Sequence, residues 1–502
     1  MVHKPPRLLL AIWWKNFQPK VSIFFNRNSI IYLSAIYWLS RIPFLSFGYG
    51  SDADSWRVIE NGLEFLINNN YIWSRFPGYP LYELPIYLIA DKGPIVTNTL
   101  TALIGFFCMI IFRKIIRHHL GLGNDIANIT SLIFCFIPVI WNASTITMDY
   151  LFSELFLLIS WYLIKDEGRL ELSSISLGIA VGFRPNNGIF IIPIIIGLLL
   201  FNRKYNLTGK KSLLRCIYYF GLFCVSSFIS MLPVYLNYDI LLSLGSISTW
   251  GSISTWTYYL IAGYHILELM GVIGGFAFSA LIIYLVISNK SSPRLCFNFS
   301  TDPSLMISIL GIGINFILYS FFPFESFYLI PSIPFLLYMV LKFAYINQEI
   351  YGLNLRKVFG MFLLIIFING FIDINLWKRN SAGKMSISKP FIGHGFVLAD
   401  FYKRKSLLNE AQYLLTEGNF NRPCLILSGW HYAIIRVHKK LYFENKNCDC
   451  EIAQIINENK LKELLNSGTS VYYTSGVESQ LNTVFNYTIE NYPEAIYLNF
   501  ED

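Results

Sequence analysis

The apolar run IIYLSAIYWLSRIPFLSFG at residues 30–48 passes straight into YGSDADSWRVIENGLEFLINNNYIWSRFPGYPLYELP at 49–85. The first segment approaches the ~20 residues that an α-helix needs to cross a bilayer. The second is polar, and it ends in an irregular Pro77, Gly78, Pro80 turn just before the next apolar run. The pattern then recurs. Apolar runs at 83–112, 127–143, 149–164, 171–183, 188–202, 213–236, 257–287, 304–322, 326–346 and 357–374 are separated by short polar loops. The chain therefore reads as a polytopic α-helical membrane protein with about 11 transmembrane helices.

Composition agrees. Of 502 residues, 54% are hydrophobic and only 14% charged, with a mean hydropathy of +0.48, too apolar for an ordinary soluble domain. Aromatic residues make up 17%, as suits side chains with one apolar end and one wet end at membrane interfaces. The net charge of +8 matters less than where the cations fall. With a cytoplasmic N-terminus, the inside loops hold Arg113, Lys114, Arg117, Lys165, Arg169, Arg203, Lys204, Lys210, Lys211, Arg215, Lys290, Arg294, Arg356 and Lys357. The outside loops hold little beyond Arg57, Arg75, Lys92 and Arg184, the asymmetry expected of an inside-positive protein. The basic start, with Lys4, Arg7, Lys15, Lys20 and Arg27, has no A-x-A-like cleavage site and reads as a signal anchor. An odd number of crossings places the C-terminus outside the cytoplasm, beyond a plasma membrane in a prokaryote or in the endoplasmic reticulum of a eukaryote.

From about residue 375 the composition becomes that of a globular unit. This divides the chain into a multi-spanning membrane domain, 1–374, and a small extracytoplasmic α/β domain, 375–502. Strand-like CLILSG (424–429) and SVYYTSG (470–476) alternate with helix-like SLLNEAQYLL (406–415) and EIAQIINENKLKELLN (451–466). The tandem GSISTWGSISTW at 245–256 is a loop duplication, far short of a repeat array. Cys108, Cys135, Cys216 and Cys224 lie in apolar runs and read as small buried hydrophobes. The cysteines suggest no disulfide framework, and Cys448 with Cys450 match no zinc spacing.

Candidate chemistry gathers outside the membrane. Asp52 and Asp54 lie just beyond the first span, where carboxylates can take a proton from a hydroxyl or bind a divalent metal. A helix N-cap at Asp54 is the plainer alternative. Arg75, beside the Pro-Gly turn, offers a planar donor fork for a phosphate. Asp149 opens the fourth run, and Glu154 lies deeper in it, where an acid is costly and hence a functional candidate. Arg184 sits in the turn before Pro185, and Glu325 in FFPFESFYLIPSIP between the ninth and tenth runs. Four outside turns thus carry ionisable residues beside Pro or Gly, as one cavity open to the outer leaflet requires. His265 and Glu268 are one helical turn apart and are either a metal pair or a structural one. His431 has no G-x-S-x-G partner and reads as structural or exposed.

In order and placement these features resemble the C-class glycosyltransferases, which use polyprenyl-phosphate sugars, and within them the protein O-mannosyltransferase and aminoarabinose transferase group. Asp52 with Asp54 stands where that group has an acidic residue or pair. Pro77–Tyr82, Asp149 in MDYLF and YLIPSIP at 328–334 match further motifs over roughly residues 30–346. The trefoil domain of the classical O-mannosyltransferases is missing, which leaves the acceptor open between protein, lipid and glycan. The resemblance implies an inverting transfer, with Asp52 or Asp54 as general base and the other positioning it or holding a metal. Asp149 joins them as a catalytic candidate and, with Asp54, as a candidate ligand of a possible divalent metal. Arg75, Tyr79, Arg184 and Glu325 are the implied substrate-binding residues. The implied partners are a polyprenyl-phosphate-linked sugar donor and the lipid bilayer, with no nucleic acid. A transporter or flippase for a lipid-linked or anionic substrate, or an outer-leaflet polysaccharide polymerase, is the competing reading. Against these stand the clustering of ionisable residues at one surface, the lack of repeated halves and the lack of a large Arg-rich late loop.

Overall fold

The structure is a computed structural model that describes residues 29–204, 209–238, 255–288, 302–321, 323, 325–351, 354–379, 385–416, 420, 423–442, 450–474 and 494–498. The basic residues before Ser29, most of the hexapeptide repeat, Lys290, Arg294 and Cys448 lie outside the described residues. In chain order the helices are α1 Ser29–Arg41, α2 Ala53–Asn68, α3 Pro80–Tyr87, α4 Pro94–Leu120, α5 Asn124–Phe136, α6 Pro138–Ala143, α7 Tyr150–Leu163 and α8 Leu170–Phe183. They continue as α9 Ile191–Lys204, α10 Gly209–Asn237, α11 Thr255–Met270, α12 Val272–Ser288, α13 Pro303–Phe321, α14 Ser332–Tyr351 and α15 Leu355–Asn369.

Every apolar run contains helix, but several runs are broken. The run at 83–112 begins its long helix only at Pro94, because Gly93 takes a left-handed φ of 84° behind the short α3. Pro138 divides 127–143 into α5 and α6, since a proline cannot continue the hydrogen-bond ladder. The run at 257–287 bends by 79° at Gly271, where the Asp373 carboxylate accepts the N–H groups of Val272 (2.7 Å) and Ile273 (2.9 Å) and so caps α12. Four described helices are long and apolar enough to cross a bilayer alone, or five if the bent pair is one span. Tyr150–Leu163, Leu170–Phe183 and Ser332–Ile346 are shorter apolar helices. The expected eleven crossings therefore lean on helices such as the 14-residue α7, about 21 Å long against a hydrocarbon core of about 30 Å.

The bundle is polar at both ends and apolar between. At one end Thr97 of α4 meets Thr147, just ahead of α7, at 2.7 Å. At the other, Lys165 donates to the His118 carbonyl and His118 approaches Asp166 at 3.6 Å. Arg356 pairs with Asp125 there as well. Between these ends lies a core that includes Met109, Phe112, Phe134, Leu151, Leu158, Trp161, Phe335 and Tyr338, all nearly inaccessible. Cys108, Cys135 and Cys216 are buried, whereas Cys224 is exposed on the bundle surface.

Beyond α15 come an antiparallel pair, β1 Ile372–Arg379 and β2 Met385–His394, and then α16 Phe396–Thr416. Next are β3 Cys424–Leu427, α17 Tyr432–Tyr442, β4 Glu451–Ala453, α18 Glu458–Asn466, β5 Ser470–Thr474 and β6 Ile496–Leu498. The last four strands form a parallel sheet in the order β4-β3-β5-β6. The stretch 451–466, expected as one helix, contributes its first residues to β4 and becomes helical only at Glu458, with Asn457 as N-cap. Cys450 pairs with Cys424 in a disulfide, so the expectation of no disulfide was wrong. The β3 and β4 strands register Leu425 against Glu451, which makes the preceding residues, 26 apart in the chain, direct neighbours with Cα atoms at 4.7 Å.

Candidate active site

The turn that leads into α2 is fixed from two sides. The Asn98 amide donates to the carbonyls of Leu45 (2.9 Å) and Gly48 (2.8 Å), and the Trp56 indole donates to that of Gly50 at 2.9 Å. Gly50 has no room for a side chain, because a Cβ would lie 2.5 Å from Ser55 Oγ. The N-cap of α2 is Asp52, not Asp54: its Oδ1 accepts the Asp54 N–H at 3.2 Å. Asp54, one residue inside the helix, points its two oxygens at separate guanidiniums, Arg57 at 3.1 Å and Arg75 at 3.0 Å.

Arg75 owes its place to a carboxylate that the sequence reading passed over. Glu83, fully buried on α3, accepts the N–H (2.7 Å) and hydroxyl (2.6 Å) of Ser74 on one oxygen. Its other oxygen accepts the Tyr79 N–H (3.0 Å) and the Tyr71 hydroxyl. It thereby satisfies the irregular backbone on both sides of Arg75–Gly78, as a buried turn requires. Gly78 completes the turn at φ 94°.

Asp149 lies at the start of α7 and is wholly buried. One of its oxygens meets Arg75 Nη2 and the other meets Arg184 Nη1 at 2.8 Å. Arg184 is held extended (φ −158°) between α8 and Pro185. Its guanidinium lies over the rings of Tyr150 (4.0 Å) and Tyr328 (5.1 Å), and that of Arg75 lies over Tyr79 (4.5 Å). The Tyr150 hydroxyl donates to Glu325 at 2.5 Å. The result is a row Arg57–Asp54–Arg75–Asp149–Arg184 in which guanidiniums outnumber carboxylates.

The acids differ in basicity. Burial pushes the Asp54 carboxyl up, but Arg75 and then Arg57 outweigh it and hold it below its ordinary range. Asp52 is raised, first by burial and then by the negative charge of Asp54, against the pull of the Asp54 N–H. Glu325 is pushed up to about 8, chiefly by burial and next by the charges of Asp52 and Asp54, with the Tyr150 hydroxyl acting the other way. Of the pair Asp52 and Asp54, Asp52 is thus raised while Asp54, held by its arginines, is lowered.

Two solved structures are similar to this chain. Both are of ArnT from Cupriavidus metallidurans, one bound to undecaprenyl phosphate and one in the apo state. Each is 12% identical with a TM-score of 0.49, covering 82% of this chain and 85% or 84% of the other. No family model matches the chain, and no curated protein matches it.

The structure brings together Asp52, Asp54, Arg75, Tyr79, Asp149, Arg184 and Glu325, which come from turns far apart in the chain. It gives two of them a different part from the one expected. Both oxygens of Asp54 and both of Asp149 face guanidiniums, so these carboxylates do not fit a divalent cation. Among the described residues no three His, Cys, Asp or Glu side chains form a metal-holding group. Glu154 stays outside the row, and neither of its oxygens has a hydrogen-bond partner among the described residues. His265 and Glu268 pair with each other at 2.8 Å within α11. His431 lies 3.3 Å from Glu410. Arg57, Tyr150 and Tyr328 join the site unannounced; aromatic spacing carried no sign that Tyr150 and Tyr328 would floor Arg184.

Proposed function

We propose that this chain is a membrane glycosyltransferase that moves a sugar from a polyprenyl-phosphate donor to an acceptor hydroxyl on the non-cytoplasmic face. The observation that carries the reading is the pair of buried guanidiniums, Arg75 and Arg184, spaced by Asp149, with Arg75 also on Asp54, whose N–H the Asp52 carboxylate accepts. Asp52 takes the proton of the acceptor hydroxyl as its oxygen attacks the anomeric carbon. The bond from that carbon to the phosphate oxygen breaks, and the lipid phosphate leaves with one more negative charge than it had in the donor. Arginines already in place stabilise charge that develops only as the bond breaks, which is where stabilisation raises the rate. Arg75 Nε, buried without a partner among the described residues, is one donor suited to a phosphate oxygen.

The orientation belongs to the same proposal. The Cys424–Cys450 disulfide suits an oxidising compartment. Lys165 and Arg356 lie at the end of the bundle away from the site, in keeping with a cytoplasmic placement of that end.

Purified protein incubated with a panel of polyprenyl-phosphate sugars should release lipid phosphate. Asp52→Asn should lower that release by roughly 10²–10⁴-fold, the range for loss of a positioned base, while membrane insertion stays intact. No release with any donor, together with saturable substrate flux into liposomes, identifies a transporter instead.

A further inference from the structure

The C-terminal elements reach the site through two helices, α17 and α16. α17 lies along α2 with three polar rungs in register: Tyr432 on Arg57, Arg436 on Glu60 and Lys440 on Glu64. On α17 these residues are spaced four apart, and on α2 they fall at 57, 60 and 64, so each set occupies one helical face. The first rung is the consequential one. Arg57 Nε donates to the Tyr432 hydroxyl at 2.9 Å, and its guanidinium lies 5.4 Å from the centre of that ring. The other side of the same guanidinium holds Asp54 Oδ1 at 3.1 Å. The two lower rungs measure 3.0 Å each, and Glu60 is buried.

A second set of contacts secures the turns that precede the acids. Ser51 Oγ donates to Asp400 Oδ1 at 2.5 Å, and the other oxygen of Asp400 pairs with Arg404 at 2.9 Å. Arg404, buried on α16, donates to the Thr145 carbonyl at 3.0 Å. α16 therefore touches the turn leading to Asp52 and the turn leading to Asp149.

We propose that Tyr432 is a positioning residue for the transfer reaction: its hydroxyl sets the angle of Arg57, and Arg57 sets that of Asp54, so that the C-terminal elements complete the catalytic arrangement. The proposal rests on the glycosyl-transfer reading above. It differs from a purely structural clamp in requiring that Tyr432 act through Arg57. A base or its neighbour displaced by a fraction of an ångström loses rate without losing the fold.

Tyr432→Phe keeps the ring against Arg57 and removes only the hydroxyl. Lipid-phosphate release should fall roughly tenfold in kcat with the donor KM nearly unchanged. The acid limb of the pH profile, set by Asp52, should move to higher pH, because Asp54 less fully neutralised by a loosened Arg57 presses its negative charge harder on Asp52. Tyr432→Phe combined with Arg57→Gln should be no slower than Arg57→Gln alone, since the two act in series. Wild-type kcat and pH profile in Tyr432→Phe overturn the proposal, as does a double variant slowed by the full product of the two single effects. A Tyr432→Phe protein that unfolds is replaced in the same cycle by Tyr432→His, which restores a polar atom on a ring. A wild-type protein that releases no lipid phosphate instead takes down the functional reading, and the positioning role with it.

Discussion

Asp149 and Glu154 stand on the same helix, five residues apart, and both are fully buried. Asp149 has a guanidinium on each oxygen, delivered by Arg75 and Arg184 from two other turns. Glu154 has no hydrogen-bond partner among the described residues for either oxygen. An acid in or beside a membrane run is expensive in either place. Among the described residues the surrounding chain supplies cations to offset that cost at Asp149 and none at Glu154.

The sharpest way to break this contrast is at Asp149. Asp149→Asn leaves two buried guanidiniums facing each other across a neutral amide, and removing one partner of a buried pair costs about 3–5 kcal/mol. Unfolding of the detergent-solubilised protein should show that loss, together with loss of lipid-phosphate release; a variant as stable and active as the parent would mean that the row is not a unit.

A smaller effect is expected at Glu325, whose carboxyl is raised to about 8 from an ordinary 4.5. Between those values the folded state holds a proton that the unfolded state has released. Stability from this group is therefore present in full below pH 4.5 and declines as pH rises through about 8. Glu325→Gln should flatten that decline in a pH series of unfolding midpoints. An unchanged slope would assign the decline to other groups.

The smallest effect belongs to Glu154. Glu154→Gln keeps the shape of the side chain where no cation among the described residues pairs with it, so stability should move by less than about 1 kcal/mol, with turnover unchanged. A Glu154→Gln protein that loses turnover would place this acid in the mechanism and remove the distinction from Asp149.

The gathering of Asp52, Asp54, Arg75, Asp149, Arg184 and Glu325 was legible in the chain. Helical runs of alternating direction carry alternate loops to one face, and these residues all fall in loops of one parity. Their division of labour was not legible. Asp52 and Asp54 look interchangeable in DAD; the N-cap geometry of one and the two arginines on the other tell them apart. Glu83 was unreadable as an architectural acid, because its partners are the backbone and hydroxyls of a turn whose shape it creates. The breaks at Gly93, Pro138 and Gly271 were absorbed into continuous apolar runs, since hydropathy is blind to backbone direction.

Read alone, the chain declares its solvent, the helicity of its apolar runs and the side on which its acids and arginines collect. All three follow from local composition and from the alternation of loops. Pairing needed the folded molecule. Asp149 meets Arg75 across 74 residues, Arg57 meets Tyr432 across 375, and Cys424 meets Cys450 across two strands. Which charges neutralise one another, and which remain for a ligand, depends on distances of 3 Å between such remote positions, and only tertiary packing sets them.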